Sequence, residues 1–98
     1  MAIERDCAQL GLGLPNNSPV GLRPDLLLDW ARLGDDAGFR VLATVDRPNY
    51  DLWDPLTALA AVAAVTSRAR VATCILVLPP RNEVPVAKQA AVIDVLSK

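Results

Sequence analysis

The chemistry open to this chain is bounded first by the side chains it lacks. It contains no histidine. That removes Ser-His-Asp and Cys-His catalysis, histidine-ligated metals and a histidine proton switch together. Its two cysteines, Cys7 and Cys74, are far apart and no CxxC occurs. Neither a zinc knuckle nor a redox pair is therefore encoded, and a reducing cytoplasmic setting is expected. The remaining candidates are an acid, an arginine and a thiol. Asp46, in Val45-Asp46-Arg47-Pro48, directly follows an apolar run. Ligands of parallel-sheet proteins sit at the carboxyl ends of strands. Asp46 is thus placed to accept a hydrogen bond from a ligand or to take a proton, and equally to pair with Arg47 or a helix N-terminus. Arg81, in Pro79-Pro80-Arg81-Asn82, follows the next apolar run. It could reach an anionic ligand at the same face, or stand as a solvated loop charge. Cys74 reads first as a small buried hydrophobe, since only Arg81 or a helix terminus could lower its pKa.

Other motifs exclude more than they assign. Gly11-Leu12-Gly13 suggests a dinucleotide fingerprint, but the third glycine would fall at Asn16, and Pro15-Asn-Asn-Ser-Pro19 intervenes before any helix. Glycines that relieve crowding in a first strand fit this better than a phosphate loop. Neither GxxxxGK[ST] nor GxSxG occurs. Ten basic and eleven acidic residues give a net charge of -1. Nucleic-acid binding and polybasic membrane attachment both require a basic field that this balance lacks. With 98 residues, of which 52% are hydrophobic, and a mean hydropathy of +0.28, the chain is one domain and too apolar for disorder. Its longest apolar stretch, Leu56 to Val65, is interrupted by Thr57 and is far short of the ~20 residues of a membrane span. The N-terminus carries charges and no apolar h-region, so no signal peptide is expected.

The elements that must position these residues follow from periodicity. Strands are expected over Ala8–Leu14, Phe39–Val45 and Arg70–Leu78. The last two are rich in β-branched residues and nearly continuous in apolar character, as strands buried on both faces of a parallel sheet are. A helix over Pro24–Ala37 carries Leu26, Leu27, Trp30, Ala31, Leu33 and Ala37 at helical spacing, with Pro24 at its first turn and Gly38 placed for a left-handed cap. A second helix opens at Asp54, its N-cap, and runs to about Ser67. A third runs from an Asn82 N-cap to about Leu96. The order is βαβαβα, with strands beginning near 8, 39 and 70. A unit of ~31 residues is that of a (β/α)8 barrel of ~250 residues. The spacing alone fits three-eighths of such a barrel or half of a Rossmann-like sheet.

The second helix carries further information. From Leu56 to Val65 it is apolar almost all round, which predicts a second buried face. The third helix is similar, interrupted by Lys88, Gln89 and Asp94. A partner subunit, or parts of a longer chain, would cover both. Alanines at a solvent-facing surface are the simpler alternative.

These residues together resemble the luciferase-like monooxygenase family, the bacterial luciferase superfamily. LGLGLPN at 10–16 resembles its first strand. WARLGDDAGF at 30–39 resembles its "WA..AE.AGF", and VLATVDRP at 41–48 its second strand with the aspartate. DPLTALAAVAAVTSRARVATCILVLPPRNEVPVAKQAAVIDVLS at 54–97 resembles "DP...LAA.AA.TSR..LGT.VL.LP.RNPV..AKQAA.LD.LS" and is the most specific stretch.

The resemblance implies an α/β fold, a partial TIM (β/α)8 barrel comprising the first three βα units with parallel strands. It implies a flavin- or F420-dependent oxidoreductase that binds FMN or coenzyme F420, with a small organic substrate, at the carboxyl ends of its strands. Asp46, Cys74 and Ile75 are the expected cofactor-face residues, with Asn16, Arg47 and Arg81 beside them. Related F420 proteins carry a non-proline cis peptide under the ring, and its counterpart here is Cys74–Ile75. Many also have histidine where this chain has Arg47, so no catalytic residue is assigned. Homodimerisation through residues 54–67 and 83–96 is implied too. The family would continue beyond Lys98, so residues 1–98 are expected to be a truncated barrel with little turnover alone. The competing expectation is a non-catalytic βα interaction module that dimerises through its second and third helices.

Overall fold

The computed structural model describes residues 9–17 and 23–97. Ala8, the expected start of the first strand, Cys7 and the charged N-terminus lie outside them. Three parallel strands, β1 (Gly11–Gly13), β2 (Val41–Thr44) and β3 (Arg70–Thr73), alternate with three helices, α1 (Pro24–Asp36), α2 (Pro55–Val65) and α3 (Glu83–Ser97). The sheet order is β1-β2-β3, with Leu12 opposite Leu42 and Leu42 opposite Val71. All three strands therefore bring their carboxyl ends to one rim.

The helix boundaries follow from local chemistry. Asp54 caps α2 by accepting the Thr57 N–H at 2.9 Å, and Asn82 caps α3 by accepting the Val84 N–H at 3.0 Å. Such caps satisfy donors that have no partner within the helix. Helix α1 stops in a paired cap: the Phe39 N–H reaches Gly34 O at 3.0 Å and the Gly38 N–H reaches Asp35 O at 3.2 Å. Gly38 sits at φ 91°, which residues with a Cβ resist. Helix α2 ends two residues before the expected Ser67. Thr66 leaves the helical conformation, and its hydroxyl returns to Val62 O at 3.0 Å.

The core forms where helices meet the sheet. Leu14, Leu27, Ala31, Leu42, Ala58 and Val62 are buried in one cluster, with Leu12, Phe39 and Trp53 packed against it. At Gly34 the helix comes so close to the sheet that a Cβ would lie 3.0 Å from both Leu12 Cδ2 and Leu42 Cδ2. A second cluster joins Leu56, Leu59 and Ala63 of α2 to Ile93 of α3. The all-round apolar character of α2 is thereby explained in part within the chain. One face meets the sheet and α1, a second meets α3, and Ala61 and Ala64 remain exposed.

Three expectations are corrected. The strands are shorter than 8–14, 39–45 and 70–78. A ladder lasts only as long as its partner: β2 gives its last carbonyl, Thr44 O, to the Cys74 N–H at 2.7 Å, while the Val45 N–H turns to Asn16 Oδ1. Residues beyond Cys74 then have no strand to pair with. Second, neither β2 nor β3 is fully buried on both faces: along β2 half-buried and buried residues alternate, and β3 is in addition an edge strand with no outward neighbour among the described residues. Third, Trp30 and Leu33 are exposed, since α1 buries the stripe Leu27, Ala31, Gly34 and Asp35. They lie on the ridge beside that stripe. No helix among the described residues is long and apolar enough to cross a membrane.

Candidate functional site

The rim at the strand ends is built from the loops after β1, β2 and β3. Asn16 joins the first two. It is fully buried, and its Nδ2 donates to Val45 O at 2.8 Å and Trp53 O at 3.1 Å. Its Oδ1 accepts the Val45 N–H at 3.1 Å. The side chain thus continues the ladder past the end of β1, presenting a donor and an acceptor to Val45 as a strand residue would. Both amide donors and the oxygen are engaged, so Asn16 underpins the rim from within.

Asp46 follows β2 as expected and is buried, its side chain only 2% exposed. Its Oδ2 accepts the Val77 N–H at 2.9 Å and the Arg81 Nη2 at 2.8 Å. Arg81 also donates through Nη1 to Asp54 Oδ1 at 2.9 Å and through Nε to Val77 O at 3.2 Å. The arginine is therefore neither a solvated loop charge nor a free anion contact. It is a fork spread across two carboxylates, a use that suits the planar guanidinium. Burial pulls the Arg81 pKa down, but its hydrogen bonds to Asp46 and Asp54 and their negative charges outweigh that and hold it above its ordinary value. Burial likewise pushes the Asp54 carboxyl up. The Thr57 N–H, the Arg81 fork and the Thr57 hydroxyl bring it below the usual carboxylate range.

The accessible part of the rim is different. Cys74 is an exposed free thiol, and Ile75 is 67% exposed. The Cys74–Ile75 peptide bond is cis, at the position the resemblance implies. Arg47 is exposed and its guanidinium carbon lies 5.5 Å from the centroid of the Tyr50 ring, a cation–π distance. The six residues singled out from sequence thus separate into two layers. Cys74, Ile75 and Arg47 reach the surface, whereas Asn16, Asp46 and Arg81 hold the loops beneath it.

Sequence reasoning treated Asp54 only as a helix cap and overlooked Val77 and Tyr50. The Arg81–Asp54 pair spans 27 residues, and no local pattern reveals a contact at that range. Among the described residues three clefts lie on the flanks, and neither Asp46 nor Cys74 lines any of them. One of about 580 Å³ runs between the free edge of β3 and α3. Grooves of about 420 Å³ and 470 Å³ lie between α2 and α3 and between α1 and α2. Among the described residues no cluster of His, Cys, Asp and Glu could hold a metal ion.

The family model of the luciferase-like monooxygenases matches residues 9–98. No curated protein matches the chain.

Proposed function

The chain belongs to the luciferase-like monooxygenase family, an oxidoreductase family, and we propose on that premise that its three strand ends form part of a rim for FMN or coenzyme F420. Of the two architectures open to three sequential parallel units, the family selects the (β/α)8 barrel. The reading is carried by one observation: at the carboxyl end of β3, Ile75 presents an exposed apolar side chain beside Cys74.

The residues present fit one face of a flat ring system. Ile75 offers an apolar surface, Cys74 a small polarisable one, and Arg47 a cation steadied on Tyr50. When bound, a flavin-type cofactor supplies the hydride or oxygen chemistry for a small organic substrate. The chain's own part is to position it. Asp46, Asn16 and Arg81 act from beneath, fixing the loops that carry the contact residues. We further propose a homodimer through residues 54–67 and 83–96, supported by the exposed Val84, Val92 and Val95 on α3.

Titration of the purified chain with FMN and with F420, followed by cofactor fluorescence, tests the reading. Binding of one cofactor is expected, weakened about tenfold or more by Ile75→Glu, since an unpaired carboxylate against an apolar ring face costs at least ~1.4 kcal/mol. A wild-type chain that binds neither cofactor refutes it.

A further inference from the structure

We infer that Arg81 is a positioning residue of the rim, acting through Val77 and Asp46 on the segment that presents Cys74 and Ile75. The inference rests on the flavin reading above and adds to it how the contact surface is held.

The geometry is a closed loop of hydrogen bonds. Asp46 Oδ2 accepts the Val77 N–H at 2.9 Å. The same oxygen accepts Arg81 Nη2 at 2.8 Å. Arg81 Nε then returns to Val77 O at 3.2 Å. Both backbone polar groups of Val77 are therefore tied to one ion pair. At the other end of the segment the Cys74 N–H is held by Thr44 O at 2.7 Å. Only residues 75 and 76 lie between the two anchors. Leu76 leans on the α2–α3 cluster, while Ile75 is left outward.

Asp54 gives the fork its second support. It accepts Arg81 Nη1 through Oδ1 and caps α2 through Oδ2. The arginine thus ties the β3–α3 loop to the end of β2 and the start of α2 at once. With its side chain 19% exposed and that of Asp46 2% exposed, the pair is shielded from solvent competition. A lysine, with its single ammonium, cannot span both carboxylates and Val77 O together. This fork is the feature that distinguishes positioning from simple charge balance.

The test uses the full chain in a Cys7→Ser background, so that Cys74 is the one thiol. Amide hydrogen exchange at Val77 and alkylation of Cys74 are measured in the wild type, Arg81→Lys and Asp54→Asn. Asparagine retains the helix cap. Arg81→Lys is expected to accelerate Val77 exchange about tenfold, as loss of a charge-assisted bond implies, and to speed Cys74 alkylation. The Leu42 amide in β2 should keep its wild-type protection. Asp54→Asn should shift the same two readouts less. The Kd of the cofactor should rise about tenfold in Arg81→Lys under conditions where the variant is fully folded, a loss that reports the position of the segment and not unfolding. If Arg81→Lys loses Leu42 protection as well, Asp54→Asn decides. Unchanged Val77 exchange and Cys74 alkylation in the variants that stay folded overturn the inference. Failure of the wild type to bind FMN or F420 overturns the flavin reading instead and leaves the exchange result to judge the fork.

Discussion

Asp35 Oδ1 accepts the Ala69 N–H at 2.7 Å, so the last turn of α1 grips the loop that starts β3, 34 residues away. The same oxygen accepts the Arg68 N–H at 2.9 Å. Oδ2 accepts the Ser67 N–H at 2.9 Å and the Ser67 hydroxyl at 3.3 Å. One buried carboxylate therefore satisfies three consecutive backbone donors that form no ladder. The latch fixes where β3 begins, and with it the register that delivers Cys74 to the rim.

Burial alone would raise the Asp35 pKa. The backbone donors of Ser67, Ala69 and Arg68, with the Ser67 hydroxyl, prevail and lower it. An unfolded aspartate titrates near ~3.9. Between the depressed native pKa and that value the unfolded chain binds more protons, so stability rises with pH across the window. The contribution is complete above about pH 4 and is lost as pH falls through the native pKa. Asp35→Asn should cost about 2–4 kcal/mol near neutral pH, because an amide NH2 replaces an acceptor opposite N–H donors. Urea unfolding from pH 7 downward checks this. The gap between wild type and variant should narrow below about pH 4; a gap independent of pH would show that the charge of Asp35 contributes nothing.

Asn16 supplies a prediction of opposite pH sign. Its Nδ2 faces two carbonyls, Val45 O and Trp53 O. In Asn16→Asp a carboxylate would face those oxygens, so its native pKa must rise. A raised pKa means that the folded state holds the proton more tightly, and the variant regains stability as pH falls. Asn16→Asp should therefore be several kcal/mol less stable than the wild type at pH 7 and recover part of that loss near about pH 4. Asn16→Ala should cost about 2–4 kcal/mol with little pH dependence. Trp53, whose backbone is bonded to Asn16 on both sides, gives the fluorescence signal. An Asn16→Asp variant as stable as the wild type at pH 7 would show that this bonding is dispensable.

The contrast between these residues and the helix caps shows what a sequence displays. Asp54, Asn82 and Gly38 are legible because each acts on backbone within a few positions. Parallel strand order was legible because β-branched runs alternate with helical spacing. Strand length was not, since a run such as RVATCILVL carries no mark of where its partner ends. Asp35 reads as one polar residue among several on α1, and its burial depends on a loop that the helix meets only in three dimensions. Asp46 was correctly placed at a strand end. Its engagement with Arg81, 35 residues on, follows from how β2 and β3 lie together and not from either segment alone.

The outer surface of the two later helices carries the last prediction. At about 100° per residue, Val84, Val92 and Val95 fall on the side of α3 away from the buried Ile93, with the exposed Lys88 among them. The three valines are more than half exposed, at 70%, 52% and 76%. Ala61 and Ala64 are exposed on neighbouring α2. With two faces of α2 and one of α3 already used internally, exposed apolar residues remain on both helices. Self-association through residues 54–67 and 83–96 would cover them. Sedimentation velocity should then show dimers or larger species for the wild type. Ala61→Glu, Ala64→Glu and Val92→Glu should each weaken association about tenfold or more, because a carboxylate desolvated without a partner costs at least ~1.4 kcal/mol. The substitutions lie outside both core clusters, so thermal unfolding of the variants should stay near that of the wild type once dissociation is allowed for. A wild-type chain that sediments as a single monomer at high concentration would leave these residues without a partner copy and remove the dimer.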